Sequence, residues 1–137
     1  MARRKLSHEG TLLLDSEGLS KLLNDDETVV ALVAEARSRG MEVVISALTI
    51  IEAVHRRTDK ARLNWILSGV RVIAVGEEEA RRSSVLLMEA GLHGHKYAID
   101  AAVAEAALRQ RRPVVVLTSD VDDMTKLCGG LVHIVAV

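Results

Sequence analysis

The sequence predicts an α/β fold, a parallel sheet covered by helices on both faces, and three observations carry that prediction. Five short runs are rich in β-forming residues: TLLL at 11–14, MEVVIS at 41–46, VRVIAV at 70–75, PVVVLT at 113–118 and VHIVAV at 132–137. Most are apolar at consecutive positions, as strands buried on both faces must be. Helical segments separate them, which is the rhythm of βαβ units rather than of hairpins.

Each helix has readable ends. The first two cover about 16–24 and 26–39, the second stopped by Gly40. The next pair follows Ser46, over 47–57, and lies between Thr58 and Gly69, over 59–68. Hydroxyl residues cap helix starts and glycine suits helix ends. Helices at 77–90, closed by Gly91, at 97–110 and at about 120–127 before Gly129-Gly130 complete the series. Pro113, the one proline, opens the fourth strand, where its missing N–H does little harm.

A chain of 137 residues fits one domain spanning 1–137, with 1–10 expected as a flexible N-terminal extension. Hydrophobic residues make up 49% and charged residues 27%, the balance of a soluble globular protein. There is no Phe, one Trp (Trp65) and one Tyr (Tyr97), so stacking of bases on an aromatic platform is excluded as a main binding mode. The net charge of −1 gives no global pull on polyanions. Basic residues do cluster locally, at Arg3-Arg4-Lys5, at Arg56-Arg57 with Lys60 and Arg62, at Arg81-Arg82, and at Arg109 with Arg111-Arg112. The single Cys128 allows no intrachain disulfide and reads as packing in a reducing compartment. The run Leu12 to Leu14 is too short for a signal-peptide core, and no uncharged stretch approaches a membrane span, so a cytoplasmic protein is expected.

The chemistry begins with YAIDAAVAEAALRQ, residues 97–110. At helical spacing the neighbours of Asp100 are Lys96, Tyr97, Val103, Ala104 and Ala107, which point it toward the apolar side, while Glu105 and Arg109 read as an i,i+4 pair facing water. A carboxylate on an apolar face needs a cation, donors or a metal to answer it. Asp15 directly follows the first strand and Asp120 follows the fourth after Ser119, so both belong at the carboxyl edge of the sheet, where open α/β folds bind ligands. Glu52, in ALTIIEAVHRR, and Asp100 lie in helices that pack on that sheet. Four carboxylates in one cleft repel one another unless protons or a multivalent cation intervene. An all-oxygen set selects Mg²⁺ or Mn²⁺ over Zn²⁺, and such ions promote phosphodiester hydrolysis.

The stretches LLLDSEGLSKLL, TIIEAVHRR and YAIDAAVAEAALRQRRPVVVLTSDVDDM occur in that order, and through them the chain resembles the PIN-domain nucleases, in particular VapC-type toxins of bacterial toxin–antitoxin pairs. The likeness runs from about Thr11 to Val137. It implies a five-stranded parallel sheet in the order 3-2-1-4-5 and a Mg²⁺- or Mn²⁺-dependent endoribonuclease, often a homodimer. It places the catalytic and metal-binding acids at Asp15, Glu52, Asp100 and Asp120, with Asp122 as an outer member. It points to Thr118, Ser119 or Ser16 as supporting hydroxyls and to a small antitoxin as partner. Arg56 and Arg57, just beyond Glu52, are the candidates for gripping the RNA backbone.

Other readings stand beside these. Asp15 and Asp120 could be helix N-caps, Glu52 could pair with Arg56, and Asp122 and Asp123 could enrich the first turn of a helix. His93 and His95 read as a surface loop, His55 and His133 as structural. A PIN-like module without activity, holding RNA or a protein, is the rival function. A phosphoacceptor receiver domain fits poorly, because the third strand ends in VGEEE and the fifth at the C-terminus.

Overall fold

The structure, a computed structural model, describes residues 9–137. The cluster Arg3-Arg4-Lys5 and most of the expected N-terminal extension lie outside the described residues. Of its last two residues, Glu9 donates its N–H to the Gly40 carbonyl at 3.1 Å and Gly10 is buried. Gly10 has a φ of +129°, and a Cβ there would stand 2.6 Å from the Pro113 carbonyl oxygen, so only glycine brings the chain into the first strand this close to the fourth.

Among the described residues the strands are β1 (Thr11–Leu14), β2 (Glu42–Ser46), β3 (Arg71–Ile73), β4 (Val114–Thr118) and β5 (His133–Ala136). They form one parallel sheet in the order β3-β2-β1-β4-β5. The helices are α1 (Ser16–Leu23), α2 (Glu27–Ser38), α3 (Ala47–Ala53), α4 (Lys60–Ser68), α5 (Glu77–Ala90), α6 (Gly94–Leu108) and α7 (Val121–Cys128).

Strand alternation divides the core in two. Leu12, Leu14, Ile45 and Leu117 meet Leu19, Val29 and Val33 of α1 and α2 together with Ile66 of α4. Leu13, Val44 and Val116 face the other way, onto Ala101, Val103, Ala104 and Ala107 of α6 and Met124 of α7. Small residues let α6 lie close against the sheet. The edge strands are shorter than the sequence runs suggest: β3 exposes Arg71 and Val72, and β5 leaves His133 exposed rather than structural. A strand with one neighbour has half its ladder in water, so its ends fray first.

Two helix boundaries also moved. The third helix stops at Ala53 instead of 57, because Val54 turns extended (φ −86°, ψ 135°) and side chains satisfy the next backbone donors. His55 N–H donates to the Thr58 hydroxyl at 2.9 Å and Arg57 N–H to His55 Nδ1 at 3.1 Å. The sixth helix starts at Gly94 rather than 97, with His93 at its N-cap position and a non-helical Tyr97 (φ −112°, ψ 16°) between two helical stretches.

The buried face of α6 is wider than the sequence predicts and includes Glu105. Glu105 is 4% exposed, not solvated. It accepts from Arg109 (Nε at 2.6 Å, a second nitrogen at 3.1 Å) and from Arg82 of α5 at 2.8 Å. Periodicity showed the i,i+4 partner but not the arginine arriving from the neighbouring helix.

Candidate functional site

Parallel strands β1 and β4 are neighbours, with Leu14 opposite Leu117, and their carboxyl ends deliver Asp15 and Asp120 to one edge. This is the switch point of the sheet, where the order reverses on either side of β1. The Asp15 N–H donates to the Leu117 carbonyl at 3.1 Å, tying the first acid to the end of β4. α3, following β2, carries Glu52, and α6 carries Asp100, whose carboxyl feels the charges of Glu52, Asp120 and Asp15.

Asp15 is 5% exposed. One carboxylate oxygen caps α1, accepting the Gly18 N–H at 2.9 Å, so the capping reading of this residue holds. Burial pushes its carboxyl above the ordinary value, while a contact from the Thr118 hydroxyl and the Gly18 N–H pull the other way. Asp120 occupies the N-cap position of α7 but its side chain makes no capping bond; its backbone N–H donates to the Thr118 hydroxyl at 2.9 Å. Thr118, fully buried, therefore touches both acids.

Asp100 is half-buried, and its carboxyl is pushed up from 3.8 to about 6. Burial is the largest cause, and the charges that follow are all negative: Glu52, Asp120, Asp15 and Asp123, in falling order. Lys96, one turn away, does not answer it and instead lies over the Tyr97 ring at 5.2 Å. Among the described residues none of Asp15, Glu52, Asp100 and Asp120 forms an ion pair. The Glu52–Arg56 pair, an alternative from the sequence, is therefore not made.

Ser16 opens α1 half-buried, and Ser119 and Asp122 are exposed. The sequence predicts Asp122 as the outer acid, and Asp123, the residue after it, is among the charges that raise Asp100. The signal was present in the spacing: three residues past Asp120 lies on the same helical face, two residues past does not. Arg56 and Arg57 are exposed in the turn after α3. Cys128 is a buried packing residue, with its thiol pushed up to about 11 by burial.

The donor set is all oxygen and no cation pairs with it; Asp15 is buried and Asp100 half-buried, while Glu52 and Asp120 are exposed, and in that chemistry the set fits a hard dication. Among the described residues, no three acidic, histidine or cysteine side chains already stand in closed ligand geometry. The charges of Glu52, Asp120 and Asp15 nevertheless all act on Asp100.

No protein-family model and no curated sequence matches the chain. Solved structures do. A FitAB complex bound to the IR36 DNA fragment matches with a TM-score of 0.68 at 22% identity, covering 92% of this chain and 94% of that one. VapBC2 from Rickettsia felis, bound to a DNA fragment from its promoter, gives 0.66 at 11% identity, covering 93% and 98%. A toxin–antitoxin complex from Klebsiella pneumoniae gives 0.66 at 21% identity, covering 91% and 96%. The chain has the fold of these proteins, with the strand order that the PIN-like resemblance implied.

Proposed function

We propose that the chain is a divalent-metal-dependent endoribonuclease of the PIN-domain, VapC-like kind, the toxin of a toxin–antitoxin pair. The observation that supports this reading most is the state of Asp100: half-buried, with Glu52, Asp120 and Asp15 as its strongest charged neighbours and no cation among them. A folded protein keeps such an arrangement at a cost to stability, and a bound dication removes the cost.

Asp15, Asp100 and Asp120 would hold the ion, with Glu52 binding it or orienting the attacking water. The ion, Mg²⁺ or Mn²⁺, would supply charge neutralisation at the phosphodiester and an acidified water. Thr118 fixes the Asp15 carboxylate and the Asp120 backbone, so the oxygens are presented from rigid strand ends. Arg56 and Arg57 would hold backbone phosphates of the RNA. The wider reading includes a homodimer and a small antitoxin; exposed apolar side chains such as Ile51 (70%), Trp65 (70%) and Met88 (75%) give protein partners surface to cover. Among the described residues no helix is long and apolar enough to cross a membrane.

The test is RNA cleavage that EDTA abolishes, that Mn²⁺ or Mg²⁺ restores, and that Asp100→Asn removes with the fold intact. Cleavage indifferent to both EDTA and Asp100→Asn overturns the proposal. The rival reading is an inactive module that holds RNA or protein. Calorimetry with Mn²⁺ separates the two, because the rival binds no ion at millimolar concentration.

A further inference from the structure

We propose that the polar cavity between the end of α1 and the turn after α3 binds a non-scissile phosphate of single-stranded RNA. The inference rests on the ribonuclease reading of the acidic cleft and adds a second anchoring point beside it.

The cavity, ≈ 120 Å³, is lined by Ser20 of α1, by Asn24 at its C-cap and by His55, Arg57, Thr58 and Arg62, among others. Two arginines face it, and they differ. Arg62 is committed: it donates to the Leu23 carbonyl at 2.9 Å and the Leu22 carbonyl at 3.2 Å, and pairs with Asp25. The Arg57 guanidinium makes no hydrogen bond or ion pair among the described residues. It is the available cation, and a planar fork suits a phosphate.

The turn that holds Arg57 consumes acceptors and leaves donors. His55 Nδ1 is occupied by the Arg57 N–H, which makes its Nε2–H a donor. The Thr58 hydroxyl accepts from His55 N–H, which leaves its own proton to give. The Ser20 hydroxyl and the Asn24 amide add donors from the opposite wall. Asp59 also lines the cavity and opposes an anion, but one of its oxygens is engaged in capping α4 through the Arg62 N–H at 3.1 Å.

Position joins this cavity to the cleft. Ala53 in its wall is the residue after Glu52, and Ser20 lies five residues along α1 from Asp15, roughly 8 Å at helical rise. That separation is short enough for a neighbouring nucleotide of a strand that meets the acids to reach the cavity. Arg56 does not line the cavity, so of the two arginines only Arg57 belongs to this anchor.

Anisotropy of a labelled single-stranded oligoribonucleotide, measured in EDTA so that nothing is cut, reads binding alone. Arg57→Ala is expected to weaken affinity about five- to tenfold at low salt and to reduce the log–log salt slope by about 0.7, one phosphate contact. Arg111→Ala, which removes the same charge from the loop before β4, should leave both nearly unchanged. Ser20→Asp, which adds a carboxylate to the cavity, should weaken binding at least as much as Arg57→Ala. Wild-type binding that Arg57→Ala does not reduce, or that Arg111→Ala reduces equally, overturns the anchor and spares the nuclease reading. Cleavage-competent protein that shows no RNA affinity in EDTA also overturns it, and loss of both cleavage and binding in the wild type removes the nuclease reading itself.

Discussion

Thr118 holds the backbone of Asp120 at 2.9 Å through its hydroxyl, and the same hydroxyl meets the carboxylate of Asp15. One fully buried side chain thus links the ends of the two acid-bearing segments. Thr118→Val keeps the shape and removes the hydroxyl. It strands the Asp120 N–H and strips Asp15 of a contact that lowers its carboxyl pKa. The expected loss is about 1–2 kcal/mol of stability, a further upward shift of Asp15 and weaker Mn²⁺ binding, with Thr118→Ser restoring all three. Thermal unfolding and carboxyl NMR read the outcome. An unmoved Asp15 in Thr118→Val would dissolve the link.

Asp100 makes the metal-free protein less stable at neutral pH. Its folded-state carboxyl titrates at about 6, raised from 3.8, so the folded chain holds this proton more tightly than the unfolded one. Its contribution is therefore favourable at low pH: stability is gained as pH falls from about 6 towards 3.8 and is lost as pH rises through about 6. Asp100→Asn cancels the repulsion at every pH. In EDTA at pH 7–8 the variant should be about 1–2 kcal/mol more stable than wild type, after allowing for solvent screening, and the pH dependence attributable to this group should vanish. A variant less stable than wild type under those conditions counts against the clustered, unanswered carboxylates.

The sheet was legible because its signals are local. TLLL, MEVVIS and PVVVLT declare buried strands by themselves, and the acids at their ends follow from chain order alone. The surroundings of a helix are not local, and there the sequence misled. Glu105 looked solvated because its only near partner in sequence is Arg109, while the residue that covers it, Arg82, is 23 positions away on α5. Likewise 47–57 looked helical throughout, since nothing in propensity announces that His55 and Thr58 side chains will take the backbone donors.

Glu105 yields its own prediction. It is a carboxylate 4% exposed, held by arginines whose side chains are 46% and 35% exposed, and it ties α5 to α6. Glu105→Gln leaves two guanidinium groups without their anchor and should cost about 2 kcal/mol, less than a fully enclosed pair because both arginines reach water. In a double-mutant cycle with Arg82→Met the coupling should exceed that with Arg81→Met, since Arg81 pairs with the exposed Glu77 instead. Denaturant unfolding measures it, and equal couplings would show that the buried contact adds nothing to α5–α6 packing.

The charges raising Asp100 come, in falling order, from Glu52, Asp120, Asp15 and Asp123. Removing them one at a time should lower the Asp100 pKa from about 6 in that order: most for Glu52→Gln, then Asp120→Asn, then Asp15→Asn, and least for Asp123→Asn. Asp15→Asn also alters the cap of α1, so its fold must be checked before its value is read. Asp122→Asn is the informative control. It removes the same charge from the same helix, but from an exposed position two residues past Asp120 rather than three, and should leave Asp100 where it was. Carboxyl-detected NMR titration of the metal-free protein gives all five values. A shift from Asp122→Asn as large as that from Asp123→Asn would mean that Asp100 senses the net charge of the molecule and not a cleft, and the assignment of these four acids to one site would lose its footing.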